Sequence, residues 1–196
     1  MAYKILLNDQ EYKIKKDDLP CLITYREKEG GSQLSISLTA DLFLRGEKIL
    51  FITAYPAGKD NFIEQAKDKK EKISYVTDAD GLDPKAQAIV LESGNEQLLS
   101  DALDRLDDIN ERIIFIKNIE AFGGEVINRC LEKKNIILSG DIDKCAFKEQ
   151  VTKKKYKTII AFSKPTTPLP ITISTLEKFT GYLQSESKEG FIKVAM

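Results

Sequence analysis

The chain contains no histidine. That absence removes Ser-His-Asp and Cys-His nucleophilic catalysis and every histidine-based metal site. Any chemistry must come from carboxylates, lysines, tyrosines, cysteines or backbone amides. Cysteine is scarce too. Cys21, Cys130 and Cys145 are odd in number, widely spaced and form no C-x-x-C pair, which argues against a disulfide framework and against a zinc site. All three stand in or beside apolar runs and read as core thiols of a reducing compartment, so a cytoplasmic protein is expected. No apolar run is long enough to span a bilayer, and the opening MAYKILLNDQ lacks the design of a signal peptide. No membrane contact is expected. An excess of one charge is also missing: the net charge of -1 gives no global pull toward nucleic acid or anionic lipid. The lysine clusters 67, 69, 70, 72 and 153, 154, 155, 157 have acidic neighbours or flank strand edges, and read as solvated faces.

A length of 196 residues fits one domain that can bury its core without staples. Internal repeats and low-complexity linkers are absent. Tyr3–Leu7 and Glu11–Lys15 read as a hairpin around Asn8-Asp9 within an N-terminal unit, 1–18. The core, 21–164, alternates strand and helix. Cys21–Thr24, Lys48–Thr53, Ala88–Leu91, Arg112–Ile116, Ile136–Ser139 and Thr158–Phe162 are apolar runs without alternation, the mark of buried parallel strands. Between them, Gln33–Leu44, Asn61–Lys69, Glu96–Asn110 and Glu125–Lys133 read as helices, the third opened by a Ser93/Glu96 capping box. Gly46 suits the end of the first. After the prolines 165, 168 and 170, Ile171–Leu183 and Phe191–Ala195 alternate around SESKEG like an antiparallel edge hairpin, 165–196. The expected fold is an α/β three-layer sandwich with a mainly parallel sheet and an antiparallel hairpin at its C-terminal edge.

The informative loop is Tyr25–Ser32, YREKEGGS, between a strand and a helix. A phosphate-binding loop of the form G-x-x-x-x-G-K-[ST] needs that context. Its glycines let backbone amides wrap phosphate, its lysine neutralises charge and its hydroxyl holds Mg²⁺. Gly30 and Ser32 fill two diagnostic positions here, Tyr25 stands at the first glycine and Gly31 at the lysine. The loop charges alternate in sign, so a collapsed or self-satisfied loop is expected, with Ser32 as N-cap of the helix.

With this loop, the order of elements from Cys21 to Glu64 and on through IIFIKNIE and NIILSGDID resembles the RecA superfamily of P-loop ATPases, and within it KaiC-like members. The resemblance covers about Cys21 to Phe162 in order and spacing, and the C-terminal hairpin more loosely. It implies a RecA-like sheet with a nucleotide site at Gly30, Gly31, Ser32 and Lys117. It also implies a water-orienting carboxylate where FITAYP has Tyr55 or Pro56, and a Mg²⁺-binding aspartate where IIFIKN has Lys117 followed by Asn118. Both Walker motifs are therefore degenerate. A lysine at the metal position repels Mg²⁺ or supplies the charge missing at Gly31. The expectation is a pseudo-ATPase, a binding or assembly module with no catalytic residue and no cofactor, whose partner is a protein or a second copy. ATP with Mg²⁺ is the alternative ligand, at a noncanonical loop. A nucleic-acid-associated relative using 153–157 is a third reading, disfavoured by the near-neutral charge.

Other motifs carry less. Gly58-Lys59-Asp60 follows a strand, but Thr53 replaces the first glycine and Asp60 the hydroxyl, so it reads as an ordinary turn. Asp78, Asp80 and Asp83 resemble the start of a Ca²⁺ loop, yet Ile89 stands where its bidentate glutamate belongs. Asp141 and Asp143 are placed to hold a cation, to contact a partner or, most simply, to cap a helix. Glu120 is the one carboxylate positioned to act beside the IIFIK strand.

Overall fold

The computed structural model describes residues 3–92, 96–123, 125–169, 171 and 180–195. A hairpin opens the chain: β1 (Lys4–Leu7) and β2 (Gln10–Tyr12) are joined by Asn8 and Asp9, both at positive φ. Two left-handed residues give the turn the twist that antiparallel strands need. The core then runs β3 (Cys21–Thr24), α1 (Gly31–Leu44), β4 (Ile49–Thr53), α2 (Pro56–Gln65), β5 (Ile73–Val76), β6 (Ala88–Glu92), α3 (Glu96–Arg105), β7 (Ile113–Lys117), α4 (Glu125–Leu131), β8 (Ile136–Gly140), α5 (Lys148–Lys153) and β9 (Thr158–Ala161). The hairpin β10 (Thr180–Ser185) and β11 (Glu189–Ala195) follows.

The strands form one sheet in the order β2-β1-β11-β10-β9-β3-β8-β7-β4-β6-β5. From β9 to β5 every pairing is parallel, and from β9 to β2 every pairing is antiparallel. The expected α/β sandwich is therefore observed. The runs Ile113–Lys117 and Ile136–Gly140 are buried throughout, because helices cover both of their faces. On one face Ile23, Phe51, Val90 and Phe115 pack with α1, α2 and the hairpins; on the other Leu22, Ile52, Ile116 and Leu138 pack with α3, α4 and α5.

Several boundaries differ from the sequence expectation. The second helix begins at Pro56, not Asn61, because proline at the first helical position has its φ preset and needs no amide partner. It stops at Gln65, and 67–72 continue as a 3-10 turn. The third helix ends at Arg105 and the chain turns through 106–110. Glu125–Leu131 is likewise shorter than expected. Gly46, at φ +103, ends α1 as anticipated. Strand β5 and helix α5 were not foreseen. Ser93 of the capping box, Pro170 and most of Ile171–Thr180 lie outside the described residues. All three cysteines are buried, as the apolar runs implied, and burial raises the Cys130 thiol to about 12.

One buried ion pair fixes where β7 begins. Arg112 is fully buried. Its guanidinium donates to the Asp108 carboxylate at 2.7 Å and to the carbonyls of Ala86 and Pro84 at 3.0 and 2.8 Å. The charge is thereby compensated and its donors are used, which a buried guanidinium requires. Removing the counterion strands that charge. Asp108→Ala is expected to lower unfolding free energy by about 3 kcal/mol, measured by urea denaturation, and a loss under about 1 kcal/mol would show that the pair behaves as a surface contact.

Candidate functional site

The carboxyl ends of the parallel strands meet the N-terminus of α1. Parallel register sets Thr53, Lys117 and Ser139 side by side on β4, β7 and β8. All three share the sheet face that α1 and α2 cover, since residues two apart along a strand point the same way. Each is buried, Lys117 to 4% exposure. Tyr25 leaves β3 on the same side and is also buried, at 6%.

These residues form one network. The Lys117 ammonium donates to Ser32 Oγ at 2.9 Å, to Asn118 Oδ1 at 3.1 Å and toward the Tyr25 hydroxyl at 3.4 Å. Ser139 donates to the same Tyr25 oxygen at 3.1 Å. Asn118, held at φ +61, donates from its amide to Glu120 at 3.2 Å, and the other Glu120 oxygen accepts the Asp141 N–H at 3.0 Å. Burial lowers the Lys117 amine to about 8, against the opposing pull of the Glu120 charge. Burial likewise raises the Tyr25 phenol to about 12.

Two glycines make room for this arrangement. A Cβ on Gly31 would lie 2.4 Å from the Tyr25 ring, and one on Gly58 would lie 2.6 Å from Thr53 Oγ1 and 3.2 Å from the Lys117 stem. Tyr25 and a side chain at 31 thus compete for one space. The tyrosine ring fills the space a side chain at 31 would enter. Gly58 belongs to α2, not to a turn, and its Lys59 points away to pair with Glu92 at 2.6 Å beneath the Tyr75 ring. Gly58-Lys59-Asp60 is not a second phosphate loop.

The loop is satisfied from within, as the alternating charges suggested. The Glu29 carboxylate accepts the Arg26 N–H at 2.6 Å. The Arg26 guanidinium reaches Asp143 at 3.3 Å. Lys28 and Gly30 supply the two left-handed residues of the bend. Ser32 is not the N-cap. Gly30 takes that position, α1 starts at Gly31, and Ser32 lies in the first turn with its hydroxyl turned to Lys117. Gly30, Gly31, Ser32 and Lys117 lie together at this strand end. Tyr25 and Ser139 complete the network and were missed as contributors, because nothing local in the sequence marks residues 114 apart as partners.

Outside this cluster the acidic motifs are structural. Asp78 accepts the N–H groups of Asp80 and Gly81 as a turn cap. Asp141 caps the next 3-10 turn through the Asp143 N–H. Burial would raise the Asp143 carboxyl, but N–H donors from Thr166 and Thr167 hold it well below the usual range. Among the described residues no group of three or more Cys, Asp and Glu could hold a metal ion, and no helix is long and apolar enough to cross a membrane. A cleft of about 430 Å³ lies over the network, lined by Tyr25, Arg26, Lys28, Ser32, Tyr55 and Asn118 among others. Tyr55 stands half exposed at its mouth.

No protein-family model matches the chain. A search of characterised proteins finds no match either. Solved structures do match. The genome packaging NTPase B204 from Sulfolobus turreted icosahedral virus 2, in complex with AMPPCP, aligns with a TM-score of 0.60 and 14% identity over 91% of this chain and 97% of its own. The same NTPase in complex with ATP-gammaS gives 0.57 and 13% identity, over 90% and 95%. ATPases 2 and 3 of EssC from Geobacillus thermodenitrificans give 0.57 and 11% identity over 91% of this chain but 37% of theirs. The chain has the α/β fold of P-loop NTPases, with a mostly parallel sheet and an antiparallel edge.

Neighbours of this fold are solved with ATP analogues, whereas here the cluster is occupied by side chains of the chain itself. Ser32 Oγ accepts from the Lys117 ammonium, β7 ends in Lys117, and the Tyr25 ring fills the space beside residue 31.

Two outcomes follow from this packing. Gly31→Ala should destabilise the fold by about 1–3 kcal/mol through overpacking. Tyr25→Ala in the same chain should recover part of that loss, and strict additivity in the double-mutant cycle would show that the two positions do not compete for one space. The second concerns pH. A lysine whose folded pKa is about 8 holds fewer protons when folded than when unfolded between there and its ordinary 10.5, so stability rises with pH through that window. The cost of the buried charge is fully present below about 8. The stability of the wild type relative to Lys117→Met should therefore increase by about 2–3 kcal/mol from pH 7 to pH 10. A flat difference would show an ordinary, solvated lysine.

Proposed function

We propose that the chain is a degenerate, non-catalytic member of the RecA/KaiC-like P-loop ATPases that works as a binding or assembly module, with a protein or a second copy as partner. On this reading residues 1–196 form a single domain. The observation that carries it is the Lys117 ammonium on Ser32 Oγ at 2.9 Å, buried and fully partnered. That contact sets a fixed positive charge where a P-loop ATPase needs a divalent cation. The neighbouring strand end offers Thr53 and an exposed Tyr55, not a carboxylate to orient water. Phosphoryl transfer depends on positioning and charge stabilisation by metal, lysine and a water-orienting group. None of the three has its residue here.

The structural neighbour B204 is solved in complex with AMPPCP and with ATP-gammaS. The present loop uses Glu29 and Tyr25 for its own contacts instead. Association with a partner is supported by the half-exposed Tyr55 at the cleft mouth, since a part-buried tyrosine beside a concave surface is a frequent anchor.

Purified protein is expected to show no ATP turnover above background and no thermal stabilisation by ATP with Mg²⁺. A ligand at 100 times its dissociation constant would add about 2.7 kcal/mol, well within reach of a thermal-shift measurement. Mg²⁺-dependent turnover that disappears in Lys117→Ala would overturn the reading and make Lys117 a relocated phosphate lysine.

A further inference from the structure

The sheet has a second charged end, opposite the Lys117 network. Two loops enter the amino-terminal ends of β8 and β9 there. One carries Lys133 and Lys134 after α4, the other Lys153, Lys154, Lys155 and Lys157 after α5. They lie far apart in sequence, and the fold joins them. The Lys154 ammonium donates to the carbonyls of both Leu131 and Lys133, which pins the loops together. The stretches 132–134 and 153–157 then hold six lysines against one acidic residue, Glu132. Weighing 153–157 by itself understated this density.

The charges are largely free. Lys134, Lys153, Lys155 and Lys157 are exposed. Lys153 meets Glu149 only at 3.9 Å, with both side chains in solvent. Lys133 and Lys157 donate to neutral oxygens, of Asn110 and of the Asp17 backbone. Lys134 and Lys155 have no acidic partner among the described residues. The adjacent turn, Lys15 to Asp18, is charge-balanced, and the loop that Lys133 reaches through Asn110 carries Asp107, Asp108 and Glu111, the last two paired with Arg112 and Lys48.

We propose that this surface binds the phosphodiester backbone of a nucleic-acid duplex without reading its sequence. Fixed point charges without arginine forks or apolar anchors suit contacts to regularly spaced phosphates. Single strands are bound largely by stacking on aromatic rings. The one ring here, Tyr156, packs against the core and commits its hydroxyl to the Val151 carbonyl. Stable anchoring to a membrane needs an inserted apolar group or a second signal. A protein partner calls for an apolar centre within the interface. The patch supplies neither.

The surface is remote from Lys117, so its test is independent of whether the nucleotide site is closed. Binding of a short mixed-sequence DNA duplex would be followed by fluorescence anisotropy at about 50 to 200 mM salt. The triple variant Lys134→Gln, Lys153→Gln, Lys155→Gln keeps the structural Lys154. It should bind about tenfold or more weakly, with the salt slope shallower by about 2–3. Lys67→Gln, Lys70→Gln, Lys72→Gln removes equal charge elsewhere and should bind like the wild type. Failure of the wild type to bind duplex at low salt would overturn the proposal. Equal weakening of both triple variants, or preference for single-stranded DNA or phosphatidylserine vesicles over duplex, would overturn it too.

Discussion

An ammonium ion buried to 4% exposure must find an acceptor for each of its protons, and meeting that demand for Lys117 organises the carboxyl end of the sheet. Ser32 brings the first turn of α1 to the ion, Asn118 takes a left-handed backbone to present its carbonyl, and Tyr25 is held by Ser139 to offer its phenol. Gly58 lets α2 come close to the lysine stem. Four connections thus converge on one cation. The desolvation that depresses the amine to about 8 is offset by these neutral oxygens and by Glu120 behind Asn118. A neutral cage of this kind holds charge in place without supplying the carboxylates a divalent ion would require.

The same geometry explains why the loop cannot simply be reopened. A phosphate nest needs small residues where the backbone turns and a lysine reaching over it. Here the largest group in the loop lies at its start, and its ring occupies the volume next to residue 31. A glycine at 31 is a packing requirement set by Tyr25. The Glu29 carboxylate meanwhile satisfies the Arg26 amide, so an incoming phosphate would have to displace a covalently tethered anion. Restoring any single residue of the motif would leave the other obstacles standing. That interdependence separates a remodelled site from one that has merely lost a residue.

Much of the fold was legible because burial on both faces leaves a plain signature. KILFIT, RIIFI and IILS do not alternate, and each proved to be a covered parallel strand. The antiparallel hairpins were legible for the opposite reason, since one of their faces is wet. Strand β5 escaped notice because ISYV is short, half exposed and at the edge, so it carries neither signature. Helix α5 is six residues rich in lysine, with only Val151 buried. At the site, sequence identified the residues standing at the motif positions but not their partners. The cap given to Ser32 went to Gly30 because a left-handed glycine ends the loop two residues earlier. The burial of Tyr25 in a stretch of charged residues depends on Ser139 and Lys117, more than 90 positions away.

Catalytic sites hold groups in arrangements that the folded state would not choose for stability: like charges together, open amides, hydroxyls without partners. This sheet end instead holds a closely packed ring, a partnered cation and a carboxylate that accepts backbone and amide N–H groups. Each of these contacts is of the kind that stabilises a fold. The residual surface charge follows the opposite pattern. Among the described residues Lys134 and Lys155 have no acidic partner, and Lys154 holds their loops together through the Leu131 and Lys133 carbonyls. Self-repulsion among such charges costs stability, most at low ionic strength. One end of the sheet thus compensates its charge closely, and the other carries exposed like charge that folding alone does not call for.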